Sequence, residues 1–309
     1  MSSALTTDAP SGLADPSRRP QPRARALHQR VPLSVSRLSW YALCTLLGVT
    51  MLVPLVWMIS IALKSNSDII QLPPEFFPKS FTWRNFVNGP KEVHFFRLLL
   101  NTLCIVLITT FGSVATSMLA GYALSRIEFR GNRLMFYLFT FSIFVPGIVT
   151  LVPIERLFFS VNLIDTWFPL ILPAFFGNPL FIFLARQFFL SVPRSIDDSA
   201  MIDGAGHWRI LTRLMLPLTK PLWITMIILA FQGSWNDYLN PLVYLNSPSK
   251  YTLSLGMASF MGSLNSGASP EYNYYMASNL LYMLPPLLLF FFAQRYFMMG
   301  LGALGMTGK

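Results

Sequence analysis

Six apolar runs dominate this sequence, each about as long as a bilayer's hydrocarbon core is thick. A core of roughly 30 Å takes about 20 helical residues. Runs of that order extend from Trp40 to Leu63, Phe96 to Leu124, Leu134 to Pro153, Trp167 to Phe189, Leu222 to Leu245 and Met276 to Met298. The chain is 53% hydrophobic and 12% charged, where soluble domains carry about 25% charged residues. The expectation is an all-α polytopic transmembrane bundle of six spans, in contact with lipid. Pro146 with Gly147, Gly177 with Pro179, Gly233 with Pro241, and Pro285 with Pro286 fall inside four of the runs and predict interruptions there. Neighbouring helices or cavity water must then satisfy the freed backbone groups.

The net charge of +10 invites comparison with nucleic-acid binders. The basic residues form no single patch interleaved with exposed aromatics, so no nucleic-acid partner is expected. Their distribution instead sets orientation. Of the 23 Lys and Arg, 16 lie in the N-terminal tail, the loop with Arg126, Arg130 and Arg133, the stretch from Arg186 to Lys220, and the C-terminus; the other side has 7. Both termini are therefore expected in the cytoplasm. Residues 1–37, rich in Pro, Ala, Ser and Arg, lack an apolar signal-peptide core and read as a disordered basic tail. The membrane-embedded remainder would span 38–309. Cys44 and Cys104 sit in apolar runs at no metal spacing, and His28, His94 and His207 lie in separate segments, so neither a metal site nor intramembrane catalysis is indicated.

In the second run, Ser113, Ser117 and Gly121 recur every four residues beside Gly112, Thr116 and Ala120. One helical stripe is thus small enough for close backbone approach. It would pack within this chain or against a second one.

Between the fourth and fifth runs lies a polar connector, about 191–220, containing Asp197 to Pro217. Ser195 with Asp198 has capping-box spacing, and Asp197 and Asp198 would sit where the helix dipole favours negative charge. The helix should stop at Asp203-Gly204-Ala205-Gly206, where glycine permits a tight turn. A second short helix is expected from His207 to Met215, with Trp208, Leu211 and Met215 on one face, ended by Pro217. On physics alone the connector is either an amphipathic helix lying on lipid or a docking element. Asp197, Asp198, Ser199, Ala200 and Asp203 present acids and small residues rather than the basic face that lipid favours, which suits a protein cleft.

At this point the sequence resembles a known family. Asp198-Ser199-Ala200, then Gly204, then Leu214-Met215-Leu216-Pro217 is similar, in spacing throughout, to the EAA loop of the integral-membrane subunits of ABC importers. Asp198, Ser199 and Leu214 are mild departures from that pattern. Phe231 to Leu245, "FQGSWNDYLNPLVYL", and the terminal "AQRYFMMGLGALGMTGK" resemble the second permease subunit of carbohydrate importers of the maltose and glycerol-phosphate type. The resemblance implies a coupling helix seated on a cytoplasmic ATPase, with Asp198, Ser199, Ala200, Asp203, Gly204, Ala205, Leu214, Leu216 and Pro217 as its coupling residues. It further implies a second six-span permease, two ATPase subunits and an extracytoplasmic solute-binding protein, together importing a carbohydrate across the cytoplasmic membrane of a prokaryote.

No cofactor is expected on this chain itself. Its one Gly-Lys pair, Gly308-Lys309, has Ala303 where a phosphate-cradling loop needs its first glycine, so ATP and Mg belong to the partner. For the solute path, polar groups within a span are the candidates: Trp235, Asn236, Asp237, Tyr238 and Asn240, which offer planar hydrogen-bonding groups beside aromatic faces. Trp and Tyr are equally interfacial belt residues. Arg97, Asn101 and Asn178 are weaker candidates. The rivals are an ABC permease for a non-sugar solute, a gradient-driven carrier, and a membrane scaffold.

Overall fold

The computed structural model describes residues 35–305 apart from 72, 74 and 266–270; the expected disordered tail falls almost wholly outside this range. Every regular element among the described residues is helical. In chain order these are α1 (Val35–Ala62), α2 (Asn66–Ile70), α3 (Asn85–Glu92), α4 (Phe95–Arg126), α5 (Asn132–Ser142), α6 (Gly147–Ser160), α7 (Phe168–Ile171), α8 (Pro179–Ser191), α9 (Arg194–Ile202), α10 (His207–Ile210), α11 (Leu216–Leu218), α12 (Lys220–Trp235), α13 (Leu239–Tyr244), α14 (Leu253–Asn265) and α15 (Tyr272–Gly305). A π-helical turn, Leu211–Met215, joins α10 to α11. By contacts the chain divides at Leu52 into two units. The first holds the N-terminal part of α1, and the second holds the remaining helices, the candidate coupling site and the candidate solute path.

Among the described residues, four stretches are long and apolar enough to cross a membrane: Leu38–Ala62, Phe95–Arg126, Phe168–Ser191 and Tyr272–Gln294. Two bent helix pairs raise the number to six if each is one span. The third run is such a pair, α5 and α6 meeting at 103° around Pro146 and Gly147, where proline cannot donate and disfavours helix in the residue before it. The fifth run is shorter than expected. Its helix α12 ends at Trp235 after 16 residues, about 24 Å of rise, and the chain turns before α13. The bent pair recognised there joins α10–α11 to α12 at 81°. The fourth run breaks at Gly177, which has a φ of +82°, as expected. The expected break at Pro285 and Pro286 is absent: α15 continues through both.

Helix α4, at 32 residues, organises the bundle. Its small stripe faces this chain's own fourth span. A side chain at Gly121 would collide with Ala185 of α8, one at Gly112 would lie 2.8 Å from the Phe175 ring, and Ser117 Oγ accepts from the Asn178 backbone N–H at 2.9 Å. Close approach then lets Val114, Met118 and Tyr122 of α4 pack with Phe181, Ala185 and Phe189 of α8 and with Ile210, Leu211 and Met215 of the connector in one buried cluster. A second cluster joins α4 to α12 and α14 through Leu98, Val106, Trp235, Leu253 and Met257. The connector is thus built into the core.

Candidate coupling site and solute path

Helix α9 starts from Pro193, which holds the N-cap position in extended backbone without a side-chain cap. The expected capping box does not form. Ser195 lies inside the helix, where its carbonyl accepts from Ser199 Oγ at 2.8 Å, because Pro193 already sets the start two residues earlier. The stop is as read: Gly204 takes φ +77°, Gly204 N–H donates to Met201 O at 3.0 Å and Ala205 N–H to Ala200 O at 2.9 Å. This paired closure needs a left-handed residue at that point, and glycine supplies it without a Cβ clash.

Beneath α9 lies an ion pair that spacing did not reveal. Arg126, in the last turn of α4, places Nε 3.0 Å from Asp197 Oδ2, with side chains only 4% and 7% exposed. Nε is not angled for a hydrogen bond, and Asp197 Oδ1 has no donor among the described residues, so the contact is electrostatic. The same guanidinium donates through Nη2 to Phe189 O and Val192 O, both at 2.7 Å, closing the end of α8. One side chain therefore ties the ends of α4 and α8 to the first turn of α9. Burial pushes the Asp197 carboxyl above its ordinary range, and Arg126 pulls it back. Tyr122 lies alongside, its hydroxyl 3.5 Å from His207 Nδ1. The sequence reading used Arg126 only as a topology charge; its position at the end of an apolar run was the available signal.

That clamp turns the rest of α9 outward. Asp198, Ser199, Met201, Asp203 and Gly204 are exposed, and Ile202 at the tip is 87% exposed. Ala200 and Ala205 pack inward on the α4–α8 cluster, as do Leu214 and Leu216. Asp197, grouped with the outward acids in the sequence reading, is the buried one. In the second helix, Leu211 and Met215 are buried as expected, but Trp208 is 68% exposed. The π-turn shifts the register, Leu216 N–H reaching back to Leu211 O. Pro217 does not end the helix, which runs on to Leu218. The wider turn just before Pro217 relieves the clash its ring makes with the preceding turn.

The fifth-span candidates divide in the same way. Trp235 is fully buried, stacked on Phe231 at 5.4 Å and tilted against Tyr282 at 5.6 Å. Tyr282 Oη donates to Trp235 O and lies 3.1 Å from Asn236 Oδ1. Asp237 works locally: its Oδ1 accepts from Asn240 N–H at 3.2 Å and its Oδ2 from Asn240 Nδ2 at 2.9 Å, fixing the start of α13. Asn236 and Tyr238 are exposed, Asp237 and Asn240 half-buried. Of the weaker candidates, Arg97 is exposed and the two asparagines are structural. Asn101 Nδ2 bonds Ser249 O and Tyr251 O, and Asn178 caps α8 by accepting from Leu180 and Phe181 N–H.

A second ionic knot joins the segment before α7 to the one after α13. Asp165 Oδ1 accepts from Asn246 and Ser247 N–H, and Oδ2 from Ser247 Oγ at 2.6 Å and Lys250 Nζ at 2.8 Å. Lys250 and these donors hold its carboxyl well below the usual range.

A long α4 with a small-residue face, a broken fifth span and an acidic elbow clamped between two spans coincide with a family match over residues 112–301, described as binding-protein-dependent transport system inner membrane component. The chain belongs to that family. Among relatives of this transport component, the arabinooligosaccharides transport system permease protein AraQ of Bacillus subtilis is 31% identical over 89% of this chain and 97% of its own. The maltodextrin transport system permease protein MdxG of the same organism is 32% identical over the same shares. The sn-glycerol-3-phosphate transport system permease protein UgpE of Yersinia pestis is 30% identical over 76% of this chain and 85% of its own. A crystal structure of a bacterial ABC transporter involved in the import of the acidic polysaccharide alginate contains a chain of the same fold, with TM-score 0.73 and 24% identity over 85% of this chain and 98% of that one.

Proposed function

We propose that this chain is a permease subunit of an ATP-driven carbohydrate importer, working beside a second six-span permease, two cytoplasmic ATPase subunits and an extracytoplasmic solute-binding protein. The observation that carries the reading is the elbow at α9: its base is fixed by the buried Arg126–Asp197 pair, while Asp198, Ser199, Met201, Ile202 and Asp203 stand out from the bundle. An acidic helix tip with a bare Ile202 is a poor partner for anionic lipid and a good one for a protein cleft. The Lys and Arg bias supports placing it in the cytoplasm, with both termini. Relatives named for arabinooligosaccharide, maltodextrin and glycerol-phosphate transport support the solute class.

In this reading the energy comes from ATP and Mg held by the partner. Closure of the ATPase pair moves α9, and Arg126 carries the displacement to α4 and α8 at once, so the spans rock as a body between two states. Asp198, Ser199 and Asp203 form the contact, Gly204 fixes the angle, Ala200, Ala205, Leu214 and Leu216 hold the elbow to the bundle, and Pro217 marks the exit toward the fifth span. Asn236, Asp237, Tyr238 and Asn240 edge the solute path, with Trp235 as the wall behind them. Sugar-stimulated ATP hydrolysis by the purified complex tests the assignment. Uptake that survives ATP depletion under an imposed ion gradient would replace it with a gradient-driven carrier.

A further inference from the structure

Next to the elbow, a cavity of about 680 Å³ opens between the end of α4, the start of α5 and the end of α8. Arg133, Arg186 and Arg194 line it, against one carboxylate, Glu128. Glu128 is engaged at the rim by Arg194 at 3.2 Å, where both side chains are exposed. The other two guanidiniums have no carboxylate in ion-pair range among the described residues. Arg186 is nevertheless held in place: Nε donates to Leu124 O at 3.2 Å and its guanidinium lies 4.0 Å over the Phe136 ring. A fixed cation lining a cavity, with the cavity's one carboxylate already paired to Arg194, suits an anion with several acceptor oxygens.

The cavity wall indicates which kind of anion. Leu134, at the cavity edge, is 63% exposed, and Leu138 and Phe141, at 58% and 67%, continue it along α5. Their spacing puts all three on one helical stripe, within the third apolar run. Guanidiniums at the end of an exposed apolar stripe match a phosphodiester with an acyl chain attached. We propose that this cavity binds an anionic phospholipid, its phosphate between Arg133 and Arg186 and its chain along Leu134, Leu138 and Phe141. Basic pockets between spans take such headgroups, and the stripe favours a lipid over free phosphate.

Native mass spectrometry of the intact transporter complex, after incubation with phosphatidylcholine vesicles with and without phosphatidylglycerol, tests this. The complex retains phosphatidylglycerol in preference to phosphatidylcholine. Arg133 is exposed, so Arg133→Gln leaves the fold intact and lowers retention about fivefold, and adding Arg186→Gln lowers it about fivefold again. Inorganic phosphate leaves the lipid in place. Equal retention of the two lipids, unchanged retention in both variants, or displacement by inorganic phosphate would each overturn the lipid assignment, the last in favour of a free-anion site.

Discussion

Replacing Arg126 by Ala removes one side chain that serves three elements, and the structure sets the size of the loss. Asp197 would remain 7% exposed without its cation, and Phe189 O and Val192 O would lose their donor at the end of α8. Breaking one side of a buried pair costs about 3–5 kcal/mol. Asp197→Asn is milder. It removes one charge but leaves Arg126 bonded to both carbonyls, and an amide oxygen can still face Nε, so the loss is about 1–2 kcal/mol. Arg126→Ala should therefore destabilise the detergent-solubilised complex well beyond Asp197→Asn in thermal unfolding. The deficit should also depend on pH. Without Arg126 the folded-state pKa of Asp197, already raised by burial, rises further. A carboxyl raised on folding favours the fold below its unfolded pKa of about 4 and loses that contribution as pH climbs through the folded value. The Arg126→Ala deficit is thus larger at about pH 8 than at about pH 5. Equal losses for the two variants, or a deficit flat in pH, would refute the clamp.

Further outcomes follow from the same geometry. Gly204→Asp puts a side chain where φ is +77° and should abolish ATP-linked uptake in vesicles while leaving membrane insertion intact; retained uptake would remove the coupling role. Gly121→Leu drives a side chain into Ala185 and should cost about 1–3 kcal/mol, read as a lower unfolding midpoint, whereas Ile202→Ser at the exposed tip should leave that midpoint unmoved and weaken ATPase retention on purification. Asp165→Asn should loosen the knot to Lys250 near neutral pH. Since the Asp165 carboxyl is depressed on folding, its stabilisation is present above about pH 4 and fades as pH falls through the depressed value. Variant and parent should then converge in acid, as reported by Trp167, whose Nε1 bonds Lys250 O.

What the sequence made legible followed from short-range physics. Membrane-length runs, the small stripe of α4 and the Gly204 turn each depend on residues a few positions apart; the stripe and the turn stand, and so do the runs except the fifth, whose helix stops at Trp235. The elbow's buried side was not legible, because Arg126 and Asp197 meet across 71 positions and only packing brings them together. Local rules also misled where they competed. A good capping box at Ser195 lost to Pro193, which fixes the N-cap by its own φ. Pro217 gave way to a π-turn that lets the helix continue to Leu218, and Trp208, expected on the buried face, is exposed. The fifth run reads as one apolar span because Asn236 and Asp237 are too few to lower its mean hydropathy. Yet Asp237 binding Asn240 is enough to restart the chain as α13. Helix α14 passed unread between two spans, although it packs Leu253 and Met257 against α4 and α12.

The most direct test of the importer assignment is a crosslink at the elbow. With the exposed Cys44 and Cys104 changed to Ser, a cysteine in place of Ser199 carries a short photo-crosslinker in membranes that hold the whole transporter. The account predicts a single adduct with the ATPase subunit, formed only when the reagent can enter the cytoplasm and altered in yield by ATP. An adduct with phospholipid alone, or labelling from outside intact cells, would contradict it.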